Sequence, residues 1–141
     1  GRLDVVRSEI STDEMLPAVA QGAIGIERRR DDPRTGPLLA AINDADTTLR
    51  INAERAFLAQ LDGSCQTPIA GLAELRGDRL TLRGEIILPD GSAVFAGHRE
   101  GLASDGPAMG RDLADELRAR APADFFDLFG SAGERGSPPL K

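Results

Sequence analysis

The chain has no tryptophan, no tyrosine and only five phenylalanines in 141 residues. Its interior must therefore rest on Leu, Ile, Val and Ala. Cysteine and histidine each occur once, as Cys65 and His98. A single thiol excludes an internal disulfide framework and a zinc site made of cysteines alone, and one imidazole does little to restore a metal site. No stretch approaches the roughly 18 to 20 apolar residues needed to cross a bilayer, and no charged region followed by an apolar one marks a secretory leader. Extended positive charge is lacking too. The net charge is −6, and the run Arg28-Arg29-Arg30 is followed at once by Asp31-Asp32. That balance argues against nonspecific binding to nucleic acid, whose phosphates call for clustered Lys and Arg. The absences together predict a cytoplasmic protein with neither membrane nor nucleic acid as partner. The first residue is Gly1, and Leu3, Val5 and Val6 run straight into ordered-looking sequence; the expectation is a part cut from a longer protein.

What is present is a hydrophobic content of 40%, enough for one domain with an appended segment. Ser11 and Glu14 have capping-box spacing, and Pro17 limits any helix there to about a turn. In residues 22–28, Ile24 and Ile26 share one face as in a short strand, whose pairing partner would lie upstream. Asp31 to Gly36 reads as a connector and domain boundary. Residues 37–43 predict a short helix with Leu38, Leu39 and Ile42 as its apolar stripe. Asp46 is the expected N-cap of a longer helix reaching about Leu61, with Leu49, Ala53, Ala56, Phe57 and Leu61 on its buried face. Glu54, Arg55 and Gln60 fall elsewhere on that cylinder.

Three strand-like runs follow, at about 68–76, 79–88 and 93–101, separated by Gly77-Asp78 and by Pro89-Asp90-Gly91-Ser92. Leu80, Leu82, Ile86 and Leu88 alternate with Thr81, Arg83 and Glu85, so the middle run has one apolar face. Short connections make the neighbours antiparallel. A helix over 107–121 carries Met109, Leu113 and Leu117, and residues 123–129 add a short helical turn with Phe125, Phe126 and Phe129. The tail 131–141, rich in Gly, Ser and Pro, is expected to be disordered. The order predicts an α+β fold: a small three-stranded antiparallel sheet with helices packed on one face, preceded by a strand segment from a neighbouring domain.

Cys65 follows the long helix and precedes a strand, with Gly63 and Ser64 just ahead. On chemistry alone two readings stand: an inert, partly buried small hydrophobe, or an approachable nucleophile able to trap an electrophilic methylene as a thioether. The stretch Glu54-Arg-Ala-Phe-Leu-Ala-Gln-Leu-Asp-Gly-Ser-Cys-Gln-Thr-Pro-Ile-Ala70 resembles the cofactor-attachment signature of porphobilinogen deaminases (hydroxymethylbilane synthases). Leu16-Pro-Ala-Val-Ala-Gln-Gly-Ala-Ile-Gly-Ile-Glu27, Leu88-Pro-Asp-Gly-Ser92 and Met109-Gly-Arg-Asp-Leu-Ala-Asp-Glu-Leu117 are similar to other stretches of that family in order and spacing. The resemblance covers roughly residues 10–130.

The resemblance implies an enzyme that condenses four porphobilinogen units head to tail, with loss of ammonia at each step, to give hydroxymethylbilane. It implies a dipyrromethane primer held through a thioether to Cys65 and never released. Residues 1–31 are then similar to the end of the second domain and the strand returning to the first; residues 37–130 are similar to the third, primer-carrying domain. Besides Cys65 and Ser64, Gln21 and Gly22 fall in a segment that faces the cofactor cleft. A Gln offers a donor and an acceptor to a pyrrole or a carboxylate, and Gly allows close backbone approach. The family usually has Gly where this chain has Ala20; should that site need a positive φ, Ala there costs on the order of 1 kcal/mol or shifts the loop.

The implied partners are porphobilinogen, the growing polypyrrole chain and the missing amino-terminal domains, within a monomeric full-length protein. No residue here matches the family's catalytic Asp or its arginine cluster, so the catalytic set is expected upstream, and the chain alone is expected to be inactive with a free thiol. Glu54-Arg55 reads as a structural ion pair or as a source of hydrogen bonds to the loop. His98 reads as a solvated or edge histidine, and Arg28–Arg30 as a solvent-facing stretch. A binding or regulatory α+β module without chemistry, and a Cys-His thiol enzyme, are the rival readings. The first leaves the Gly-Ser-Cys loop unexplained, and the second has no local motif behind it.

Overall fold

The computed structural model describes residues 8–62, 67–123 and 125. Within them the order is α1 (Thr35–Ile42), α2 (Ala45–Gln60), β1 (Ile69–Arg76), β2 (Arg79–Ile87), β3 (Val94–Leu102), a 3₁₀ turn (Ala103–Asp105) and α3 (Gly106–Arg120). The sheet is antiparallel in the order β1-β2-β3. This is the expected α+β meander, with α2 and α3 side by side over one face.

Register explains which residues face the helices. Ile69, Gly71 and Ala73 of β1 stand opposite Ile86, Gly84 and Leu82 of β2, and Leu82, Gly84 and Ile86 stand opposite Arg99, Gly97 and Phe95 of β3. Leu80, Leu82 and Ile86 are fully buried, as are Ala53, Phe57 and Leu61 from α2 and Leu113, Ala114 and Leu117 from α3. Burying each large apolar side chain stabilises the fold by roughly 1.5–3 kcal/mol. The scarcity of aromatics gives Phe57 a central place. Its ring lies on the cross-strand glycine pair Gly71 and Gly84, where a Cβ would sit 3.4 Å from Phe57 Cδ1 and 2.7 Å from Phe57 Cζ, while Leu113 covers Gly97, its Cδ1 2.8 Å from a Cβ there. At Gly110, where α3 crosses α2, a Cβ would come 2.9 Å from the Phe57 nitrogen and closer still to the Ala53 carbonyl oxygen.

Polar side chains fasten the layers. Arg99 on β3 reaches Asp112 and Glu116 on α3, while Arg120 pairs with Glu116 at 3.0 Å. Arg83, on the sheet face away from the helices, donates to Asp13 Oδ1 at 2.9 Å and Thr12 Oγ at 3.2 Å, drawing the segment before Leu16 across that face. The free margin of β3 has two of its carbonyls taken, Ala96 O by Arg120 and His98 O by Arg99, each at 2.9 Å.

Several expectations change. Residues 23–29 carry no regular element, and Ile24 and Ile26 are 94% and 58% exposed. Their alternation fits a strand, but a strand needs a ladder, and no neighbouring chain stands beside them among the described residues. The stripe of α1 is likewise uncovered, with Leu38 and Ile42 both 70% exposed. The cap of α2 is Asp44 rather than Asp46: its carboxylate accepts from Thr47 N at 2.6 Å. That bond, with a further contribution from the Thr47 hydroxyl, holds the Asp44 carboxyl below its ordinary value. The Ser11 side-chain oxygen accepts from Asp13 N rather than from Glu14 N, and the Ser11 carbonyl accepts from Glu14 N and Met15 N to close a single turn before Pro17. Glu54, assigned away from the buried face, is 4% exposed. Of the turn at 123–129, Phe125 is described and lies in the core at 1% exposure. Phe126, Phe129 and the tail 131–141 lie outside the described residues. Among the described residues no helix is long and apolar enough to cross a membrane.

Candidate functional site

The segment after Pro17 is built from two consecutive turns. Gln21 N donates to Ala18 O at 3.0 Å, and Ala23 N donates to Ala20 O at 3.2 Å. The third residue of each turn has positive φ, +60° at Ala20 and +82° at Gly22, as type II turns require. Gly22 suits such a position; Ala20 does not, because its Cβ crowds the carbonyl. Position 20 thus holds an alanine in a left-handed conformation that favours glycine. A Cβ at Gly22 would meet nothing within 4 Å, so backbone angle rather than crowding within the chain is what glycine supplies there.

This double turn docks on the free margin of β1. In an antiparallel ladder alternate residues turn their backbone groups outward, and on β1 these are Ile69, Gly71 and Ala73. Gly71 N donates to Pro17 O at 3.0 Å. Ala73 N donates to Glu54 Oε1 at 2.8 Å, and Ala20 N donates to Glu54 Oε2, also at 2.8 Å. A carboxylate from α2 thus closes the sheet margin with one oxygen and grips the turn with the other. The approach is close enough that a Cβ at Gly71 would lie 3.2 Å from Val19 Cγ2 and 3.4 Å from Phe57 Cδ1.

Between the double turn, the first half of α2 and β1 lies a cleft of about 210 Å³, lined among others by Gln21, Gly22, Thr47, Arg50, Glu54 and Leu72. The two described residues that the sequence singled out, Gln21 and Gly22, are therefore together on one wall. Arg50 stands on the other, its Nε donating to Asp46 O one turn back at 3.3 Å. A guanidinium and a primary amide at the mouth of one cleft suit an anionic ligand that also carries N–H donors. Glu54 is the one carboxylate in the lining, and both its oxygens already accept from backbone amides. It is placed to hold structure rather than to shuttle protons.

Arg50 was not singled out from the sequence; Glu54 was, as an ion pair with Arg55 or a source of hydrogen bonds, and it is hydrogen bonds that it makes. A signal for Glu54 existed in its spacing: it lies one position from Ala53 and three from Phe57, at the border of the apolar stripe. Cys65 and Ser64 lie outside the described residues. The nearest described residues before and after them are anchored in the fold. Leu61 is fully buried, Arg118 donates to Gln60 O at 2.7 Å, and Thr67 is buried at 8% exposure.

The remaining candidates keep their structural readings. His98 is exposed on β3 opposite Arg83, beside a second hollow of about 300 Å³ between the sheet and Thr12–Leu16. Among the described residues no cluster of three or more His, Cys, Asp or Glu is placed to hold a metal. Arg28 folds back to donate to the carbonyls of Arg29 and Arg30, and all three are exposed.

Residues 48–119 match the family model for the carboxyl-terminal domain of porphobilinogen deaminase. The chain is 72% identical over 127 residues to a porphobilinogen deaminase of Paracoccus denitrificans, covering 90% of this chain and 41% of that protein. It is 51% identical over 132 residues to the Nitrobacter winogradskyi porphobilinogen deaminase, covering 94% of this chain and 42% of the relative. To the Nitrobacter hamburgensis porphobilinogen deaminase it is 53% identical over 123 residues, covering 87% of this chain and 39% of the relative. The chain thus spans about two fifths of the length of these relatives.

Proposed function

The chain belongs to the porphobilinogen deaminase family, and from that membership we propose that residues 37–130 are the cofactor-carrying third domain of a hydroxymethylbilane synthase. Residues 1–31 then belong to the domains before it. The whole enzyme is a cytoplasmic transferase of tetrapyrrole biosynthesis that joins four porphobilinogen molecules head to tail, releases an ammonia at each joining, and yields hydroxymethylbilane. The dipyrromethane cofactor supplies the pyrrole end from which the product chain is extended.

Each residue of this chain has a limited task. The Cys65 sulfur, as thiolate, forms the thioether that retains the cofactor, and Ser64 is the small neighbour that leaves the sulfur approachable. Gln21 offers its carbonyl oxygen to a pyrrole N–H and its amide N–H₂ to a carboxylate. Gly22 keeps that wall free of a side chain. Arg50 brings fixed positive charge to the acetate and propionate groups that every such ring carries. The donor set fits an anionic oligopyrrole: a guanidinium and an amide line the cleft, and its one carboxylate is occupied by backbone amides. The observation that carries the proposal is the convergence of Gln21, Gly22 and Arg50 on a single cleft.

The family's catalytic Asp and arginine cluster are expected in the domains before this stretch, so the proposal includes a 141-residue chain that is inactive alone and keeps a free thiol. The test replaces the corresponding two fifths of the Paracoccus denitrificans enzyme with this sequence. The chimera is expected to form hydroxymethylbilane and to show an added dipyrromethane mass on the peptide containing Cys65, while the 141-residue chain releases no ammonia. Cys65→Ser is expected to remove both turnover and adduct. Full turnover by the Cys65→Ser chimera would overturn the assignment.

A further inference from the structure

We infer that Glu54 is the positioning residue of the cleft: by bridging Ala20 N and Ala73 N it holds Ala20 left-handed and so sets Gln21 and Gly22 in place. The inference rests on the functional reading above and extends it to a residue that touches no ligand.

Glu54 is buried at 4% exposure. A carboxylate taken out of water needs hydrogen bonds or a counter-charge. Among the described residues no cation pairs with Glu54, and its compensation comes from two amide donors at 2.8 Å. Closing the β1 margin at Ala73 needs one acceptor, as Pro17 O shows at Gly71. The second oxygen falls on Ala20, the non-glycine residue held at φ +60° directly before Gln21. An alanine relaxes out of that region unless something holds it there. Two turn hydrogen bonds of 3.0 and 3.2 Å lie within the double turn, and Pro17 O and Val19 anchor it before Ala20, but of these contacts only the Glu54 bond falls on the Ala20 amide itself. Glu54 also reaches across 34 residues to Ala20 and 19 to Ala73, so a single side chain couples helix, sheet and turn.

Glutamine at this site has the same shape but only one acceptor oxygen, and its amide would point N–H toward a backbone N–H. Amide hydrogen exchange on the 141-residue chain reads the consequence. In Glu54→Gln, losing a charge-assisted bond should speed exchange at Gln21 and Ala23 about ten- to a hundredfold, while Leu82 and Leu113 in the core keep their protection. Adding Ala20→Gly to Glu54→Gln should recover about fivefold, because glycine takes the positive φ without steric penalty. A merely structural Glu54 would show no such rescue from position 20. In the chimera, the fraction of Cys65 carrying the adduct should fall with Glu54→Gln and rise again with Ala20→Gly.

Unchanged exchange at Gln21 and Ala23, or no recovery with Ala20→Gly, overturns the inference. Should Glu54→Gln not fold, through-hydrogen-bond couplings from the Ala20 and Ala73 amide nitrogens to the Glu54 carboxyl carbon decide on the unaltered chain. Their absence at Ala20 is equally fatal. A parent chimera without adduct strikes the functional reading and leaves Glu54 to be judged by exchange and coupling.

Discussion

Replacing Gly110 with alanine sets two ordinary rules against each other. Gly110 is inside α3, where alanine is favoured over glycine by about 1 kcal/mol. Against this, the new methyl carbon would lie 2.9 Å from the Phe57 nitrogen and nearer still to the Ala53 carbonyl oxygen. Comfortable contact lies about 3.5 Å away or more, so the surfaces must part by at least about half an ångström. Both obstacles are backbone atoms of α2 and cannot rotate aside. Relief means moving α2 off α3, which loosens Phe57, Leu113 and Leu117 together. That places the substitution at or above the upper end of the usual overpacking range, about 3 kcal/mol, and a net loss of about 2 kcal/mol remains. With a urea slope of about 2 kcal/mol/M, the unfolding midpoint falls by about 1 M. The control is Gly101→Ala, where the new carbon would meet Met109 Sδ at 2.8 Å. A thioether end swings away at little expense, so that midpoint should move by less than about 0.3 M. Equal shifts for the two variants, or an unmoved midpoint for Gly110→Ala, would refute the argument that the identity of the yielding atom decides the outcome.

The other expectations concern the end of the domain and its surface charges. Phe125 is 1% exposed within the core cluster; Phe125→Ala should destabilise the chain by about 3–5 kcal/mol, read as a lowered urea midpoint, and a change below about 1 kcal/mol would show that the residue is not a core member. The Glu116 carboxyl is held below its ordinary 4.5 by hydrogen bonds from Arg99 and then Arg120. A carboxyl lowered on folding stabilises above its unfolded value, and that contribution is lost as pH falls through the folded one. Urea midpoints should therefore fall more between about pH 5 and about pH 3 for the parent than for Arg99→Leu; parallel declines would contradict the pairing.

The fold was legible where the pattern was local. Alternation in Leu80, Leu82 and Ile86, bounded by Gly77-Asp78 and by Pro89–Ser92, placed the meander within a residue or two, and the spacing of Leu113 and Leu117 placed α3. The misses share a different cause. Ile24 and Ile26 have the spacing of a strand, and Leu38 and Ile42 that of a buried stripe, but spacing does not supply the partner that would cover them. The cap of α2 moved from Asp46 to Asp44 because two acidic residues in one stretch can each serve, and only the turn geometry chooses. In the candidate cleft, Gln21 and Gly22 were singled out through resemblance, and so was an expected departure from glycine at position 20. Its φ of +60° gives that substitution its physical meaning. Arg50 was not reached, and Glu54 was read as an ion pair or hydrogen-bond source without its partners, since both depend on segments far away in sequence. A glutamate beside a core stripe looks like a surface residue until the amides it serves are in view.

The three-stranded sheet is finished by unlike means at its two outer strands. Along β3, guanidinium groups cover carbonyls, and one of them, from Arg99, comes from the neighbouring residue in the same strand. Along β1, the amides of Gly71 and Ala73 wait for Pro17 and for a helix to arrive. A partly unfolded molecule therefore presents the β1 border bare until the upstream segment settles. Whatever loosens the grip on residues 17–20 opens that border to pairing with a second chain.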